Sequence, residues 1–272
     1  MMISPRRLLQ RAPTIVSSRF ISDQAYIFTS DNIRKPQLPA GLNVVDVPLT
    51  PATDEEALAA VGAHLVSSRD EISIEKGNFD ITPWPVSGWR QLDPDTGDEA
   101  GTTEGLFEVE WVGDNFFGHN LAIGSSSNRY LDGLGCLPEH ASPHGTDKNR
   151  HTSDESFIYL WMSDYHPDGG QLFWPEANED KSTAVPFVVC LGPASCGDDI
   201  RPEDMRAFAV PPGYGIYLNP GTWHNGVYVH RAAAPQGKPA QFLTRQGRVH
   251  ARVSCSWAAE FGTLLRLKLP IE

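Results

Sequence analysis

"GIYLNPGTWHN", residues 215–225, alternates as a strand does, breaks at Pro220-Gly221, and presents Trp223 and His224 two and three residues beyond the glycine. A turn requires the Pro and the Gly but has no use for an imidazole. Side chains alternate along a strand, so His224 and Tyr228 share one face while Trp223 and Asn225 take the other. "DYHPDGGQLFWPE" (164–176) is built the same way, with His166 before its turn and Gln171 after it. Two such hairpins from separate parts of the chain point to one pocket in a small β-structure, a setting suited to proton transfer or metal binding.

The flanking sequence supports that architecture. "LFEVEWV" (106–112) sets Phe107, Val109 and Trp111 on one side of a strand. Further short β-branched and aromatic runs follow: "SFIYLWMS" (156–163), "GQLFWP" (170–175), "AVPFVVCLG" (184–192), "RAFAVPP" (206–212), "GVYVH" (226–230) and "VHARVSCSW" (249–257). Turn signals separate them, as in an antiparallel barrel or jelly roll, and no βαβ alternation argues for a nucleotide-binding sheet. Ahead of them, "LNVVDVPL" (42–49) reads as a strand. "TDEEALAAVGAHLVS" (53–67) reads as a helix with Thr53 or Asp54 as its cap. The expected fold is all-β with minor α: an antiparallel β-barrel or jelly roll behind a strand-helix preface.

The 272 residues suffice for one sizeable core, and a net charge of −12 disfavours binding to nucleic acid. No apolar run is long enough to span a membrane. Cys136, Cys190, Cys196 and Cys255 form no C-x-x-C pair and read as free thiols. Residues 1–22 contain Arg6, Arg7, Arg11 and Arg19 and no acid. They form either a mitochondrial transit segment or a basic N-terminal extension, which leaves the location mitochondrial or cytoplasmic. Residues 23–272 are expected to form a single domain.

"HPDGGQLFWP" (166–175), "PFVVCLG" (186–192) and "IRPEDMRAFAVPPGYGIYLNPGTWHN" (200–225) together resemble the ureidoglycolate lyase family, which is cupin-like. "FFGHNLAIG" (116–124) and the opening 43–68 are similar to further family segments. The chain departs from the pattern at Asn219-Pro220, at Asn225 and at Asn120, and it carries two long polar loops, 93–105 and 138–151.

The resemblance implies a carbon–nitrogen lyase that releases glyoxylate and urea from ureidoglycolate by acid–base elimination. Its catalytic candidates are His119, His166 and His224. Gln171, Arg90, Arg206, Trp223, Tyr217 and Asn219 are candidates for binding the substrate, with an arginine holding its carboxylate. His119, His166, Gln171 and His224 would also make a mixed nitrogen and oxygen set for a divalent nickel, manganese or iron ion. The expected partners are a small carboxylate substrate and a second copy of the chain in a homodimer, with no nucleic acid and no membrane. A metal-dependent cupin oxygenase or isomerase of a small acid, or a non-catalytic small-molecule-binding cupin, is the alternative.

Overall fold

A computed structural model describes residues 26–28, 34–71, 88–91, 104–120, 129–141, 156–167, 169–176, 185–233, 238–246 and 252–270. The expectations placed on residues 1–22 and on most of loops 93–105 and 138–151 therefore lie outside the described residues.

The elements are β1 (Tyr26–Phe28), β2 (Arg34–Pro36), β3 (Asn43–Asp46), β4 (Leu49–Pro51), α1 (Glu55–Ala60), β5 (Ala63–Val66), β6 (Glu104–Val112) and β7 (Asn115–Asn120). Next come β8 (Arg129–Leu134), β9 (Phe157–Leu160), β10 (Met162–Tyr165), β11 (Gln171–Pro175), β12 (Phe187–Gly192) and β13 (Arg206–Val210). The chain continues through β14 (Gly215–Leu218), β15 (Trp223–Tyr228), β16 (Ala240–Arg245), β17 (Val253–Ser256), α2 (Trp257–Phe261) and β18 (Thr263–Lys268).

The fold is all-β, with two short α-helices among the described residues, as the sequence leads one to expect. Its strands form two open sheets rather than one closed barrel. The larger runs β3-β18-β9-β8-β7-β6-β16-β11-β14-β5, and the smaller runs β17-β10-β15-β12-β13-β4. Phe107, Phe116, Phe173 and Phe242 of the first sheet share one buried cluster with Val188, Val227 and Tyr228 of the second, so the core lies between the sheets. Edge-on ring contacts such as Phe187 against Phe242, at 5.1 Å, tie the two layers together.

Two elements are shorter than the sequence suggests. Asp54 caps α1 by accepting from the Ala57 N–H, as expected, but the helix ends at Ala60. Gly62 then takes φ +84°, and Ala63–Val66 leaves to pair with β14. A glycine in the left-handed region stops a helix at little cost, and the sheet edge captures the Leu65 and Val66 that had looked helical. The run 156–163 divides at Trp161: β9 joins the first sheet and β10 the second.

The quoted stretch is the joint between these parts. Thr222 N–H donates to the Asn219 carbonyl across Pro220-Gly221, and Gly221 has φ +78°, the arrangement of a type II turn. Asn219 N–H and the Thr222 hydroxyl both donate to the Gly62 carbonyl, anchoring the turn on the α1–β5 junction. Gly221 N–H donates to the His166 carbonyl at 3.1 Å, which locks one histidine hairpin to the other. A side chain at Gly221 has no unstrained conformation there. Gly221→Ala is expected to cost about 1–2 kcal/mol, read as a lowered urea midpoint at unchanged m-value.

Candidate active site

Alternation along β15 divides its residues between two environments. Trp223 faces outward: it packs edge-on against Tyr165 at 4.8 Å and donates from Nε1 to the Gly197 carbonyl. Asn225 also faces away from the core interior. It accepts from the Ser163 hydroxyl at 2.6 Å and donates to the Met162 carbonyl, while Trp257 Nε1 donates to the same Ser163 hydroxyl. His224, Gly226 and Tyr228 face the space between the sheets.

The two histidines of the hairpins meet there. The rings of His166 and His224 stand 5.0 Å apart at 53°, and both residues are buried. Phe173 backs His224 from the opposite sheet, with ring centroids 6.4 Å apart. His224 Nδ1 donates to the Thr222 carbonyl at 2.8 Å. Because a carbonyl only accepts, the Nδ1 position carries the proton, and Nε2 carries the lone pair of the neutral ring. Gln171, two residues from Phe173 on the same face of β11, donates to the Thr244 hydroxyl at 3.1 Å. Its buried Oε1 has no hydrogen-bond partner among the described residues.

Several of the other expected site residues lie elsewhere. Arg90 is held on the outer side of the second sheet. Its guanidinium donates to the Asp198 and Ser254 carbonyls and to both Glu260 oxygens, and it stacks over Trp223 at 5.6 Å. Arg206 is exposed and donates to the Glu203 and Met205 carbonyls. Neither arginine faces the interior, so neither can take a substrate carboxylate there. Tyr217 lies on the outer face of β14, against Leu172 and the His64 ring. Asn219 is an exposed residue of the turn. Trp223 packs as described above.

His119 pairs with Arg129 across β7 and β8, and both share a face with Phe117, whose cluster is separate from the inter-sheet core. The strand's two-residue period thus puts His119 on the far side of the first sheet from His166 and His224. The four-ligand metal set with His119 does not form. Among the described residues no group of three or more His, Cys, Asp or Glu side chains is arranged to hold a metal ion.

The interior instead contains an acidic cluster that the sequence reading missed. Between β7 and β8 the register shifts: Phe116 pairs with Gly133 and Phe117 with Leu131. The extra residue on β8 is Asp132, as in a β-bulge. Asp132 Oδ2 lies over Gly226 of β15, where a Cβ would come within 2.6 Å of it. That oxygen is buried without a hydrogen-bond partner among the described residues. Tyr130 fills the space over Gly118, where a Cβ would fall 2.6 Å from the ring. Both reach between the sheets and are half-buried.

Asp164, the cross-strand partner of His224, and Arg252 complete the group as an ion pair at 3.7 Å. Burial pushes the Asp132 carboxyl up to about 7, the Asp164 charge adds to the rise, and the nearby Tyr228 hydroxyl opposes it. Burial, with the Asp132 charge second, holds the hydroxyls of Tyr130 and Tyr228 well above the usual phenol range, so both remain neutral.

Paired imidazoles and a buried carboxyl thus lie between the sheets of an all-β, cupin-like fold, and all three are groups able to exchange protons. Residues 135–251 match the family model described as ureidoglycolate lyase, so over this stretch the chain is ureidoglycolate lyase-like and carries the pattern of a family of lyases. No curated protein matches the chain.

The raised Asp132 carboxyl has a consequence for stability. Between about pH 4 and pH 7 the folded chain holds a proton at Asp132 that the unfolded chain has released, so this group makes stability fall as pH rises through that interval. The fall is about 1.4 kcal/mol per pH unit, levelling off above pH 7. Asp132→Asn keeps the shape and removes the ionisation. Denaturant melts at pH 5 and pH 8 are expected to show the variant gaining on the wild type by a few kcal/mol.

Proposed function

We propose that this protein cleaves the carbon–nitrogen bond of ureidoglycolate, releasing glyoxylate and urea. The observation that carries the reading is the meeting of His166 and His224 inside the fold, within the stretch that matches the lyase family. The reaction needs no redox step. A base removes the carbinol hydroxyl proton, the oxygen electron pair forms the carbonyl, and the carbon–nitrogen pair leaves with the nitrogen, which takes up a proton.

His224 is the base. Its Nδ1–H bond to Thr222 fixes the ring with the lone pair on Nε2, the atom that takes the proton. His166, packed beside it, shares the buried position and holds the reacting hydroxyl in place. The substrate carboxylate needs a cation, and with Arg90 and Arg206 directed elsewhere that role falls to Arg252. Its charge acts on the Tyr130 hydroxyl within the recess and pairs with Asp164 beside His224. Gln171 Oε1 offers an acceptor to a ureido N–H.

The test is release of urea and glyoxylate from ureidoglycolate by the purified protein. Absence of release from folded wild-type protein rejects the reading. His224→Gln is expected to lower kcat about 10²–10³-fold with the fold intact. Arg252→Gln is expected to act chiefly on KM, raising it about tenfold or more, as loss of a charged hydrogen bond to substrate does.

A further inference from the structure

We propose that Asp132 is the catalytic acid of this site, the group that delivers a proton to the nitrogen as the carbon–nitrogen bond breaks. The proposal rests on the lyase reading and goes beyond it, because neither the histidine hairpins nor the family resemblance points to β8.

Geometry carries the assignment. The inward positions of β15 are His224, Gly226 and Tyr228, and the Asp132 carboxyl comes across from the other sheet directly over the glycine. It therefore sits one inward position, roughly 7 Å along the strand, from the proposed base. That spacing admits a hydrogen bond of about 2.6–3.2 Å at each end of an O–C–N unit, with the hydroxyl toward His224 and the departing nitrogen toward Asp132. Gly226 is required for it, because any side chain there would collide with the carboxyl. Asp132 reaches that interior by ordinary strand alternation, two residues beyond the inward-facing Tyr130 on β8.

The surroundings keep the carboxyl protonated when an acid is needed. Tyr130 of its own strand and Tyr228 of β15 face it as neutral hydroxyls. Asp164 of β10 faces it as a carboxylate, with Arg252 as that carboxylate's partner. His224 stands beyond Gly226, and Cys190 of β12 lies buried behind Tyr228. With burial, this set holds the proton on Asp132 up to near neutral pH. In the step itself the Asp132 O–H bond breaks and the nitrogen–hydrogen bond forms, while the carbinol proton passes to His224. Net transfer of that proton back to Asp132, through solvent after the products leave, restores the starting state.

The experiment combines a proton-specific and a kinetic readout. Carbon-13 carboxyl resonances of labelled wild-type protein, assigned by their loss in Asp132→Asn, are expected to show one aspartate titrating near pH 7. The wild-type pH profile of kcat/KM is expected to fall on the alkaline side as that proton is lost. Asp132→Asn is expected to lower kcat about 10²–10³-fold, leave KM little changed and abolish that alkaline limb. Tyr228→Phe removes the hydroxyl that opposes the rise, and is expected to move the limb to higher pH.

A carboxyl titrating in the ordinary aspartate range overturns the proposal. So does an Asp132→Asn protein that keeps the wild-type limb and rate. Wild-type protein with a near-neutral Asp132 and no urea release defeats the lyase reading itself, and the assignment of this acid falls with it.

Discussion

The site depends on one backbone hydrogen bond, from Gly221 N–H to the His166 carbonyl. His166 and Gly221 are far apart in sequence, on hairpins that each bring one imidazole, and this bond sets their separation. The turn can donate it because Pro220 and Gly221 fold Asn219–Thr222 into a type II turn, whose second central residue must have a positive φ. The turn in turn hangs from the Gly62 carbonyl, reached by Asn219 N–H and the Thr222 hydroxyl. The short helix α1 and its glycine stop are thus part of the site's foundation. An element that would otherwise read as an N-terminal preface fixes where the histidine hairpin ends.

The two-residue period of the strands then sorts packing from chemistry. On β15 the outward residues are those that make specific structural bonds: Trp223 to Gly197, and Asn225 to Ser163 and Met162. On β10, Tyr165 and Ser163 face the same outer layer, where Asp198 and Trp257 receive them. The inward residues of the same strands are Asp164, His224, Gly226 and Tyr228. A one-residue slip in either strand would exchange the two sets. The outer network of Arg90, Asp198, Glu260 and Trp257 resists that slip, and so positions the interior without touching it.

Much of this was legible in the sequence. The Pro-Gly break followed by Trp and His gave the hairpin, and the alternation gave the correct faces for His224, Tyr228, Trp223 and Asn225. The strands at 106–112, 170–175 and 206–212 were visible as alternating or β-branched runs. Other features depended on long-range context. Leu65 and Val66 fit a helical stripe and a strand equally well, and only the partner strand β14 decides between them. His119 lies on a strand that buries an aromatic ring on each face, Phe116 on one and Phe117 on the other, so its side could not be read locally. Asp132 left a faint trace, as an acid amid the apolar residues of "RYLDGL". Asp164, two residues before His166, left a stronger one, because strand spacing places both on one face.

Asp132 and Asp164 occupy the same interior yet meet different conditions, and that contrast organises the chemistry. Asp164 has Arg252 within 3.7 Å and retains some exposure, so its charge is compensated. Among the described residues Asp132 has no cation of its own, and it stands next to that charge, so protonation is its lowest-energy state until near neutral pH. Asp132 thus carries a transferable proton beside the Asp164–Arg252 ion pair. Arg252 pairs with the carboxyl next to His224, while burial keeps the one over Gly226 neutral. A ligand carboxylate drawn to Arg252 would compete with Asp164 for it and add negative charge to the recess. Both effects strengthen the hold of Asp132 on its proton at the moment the substrate is bound.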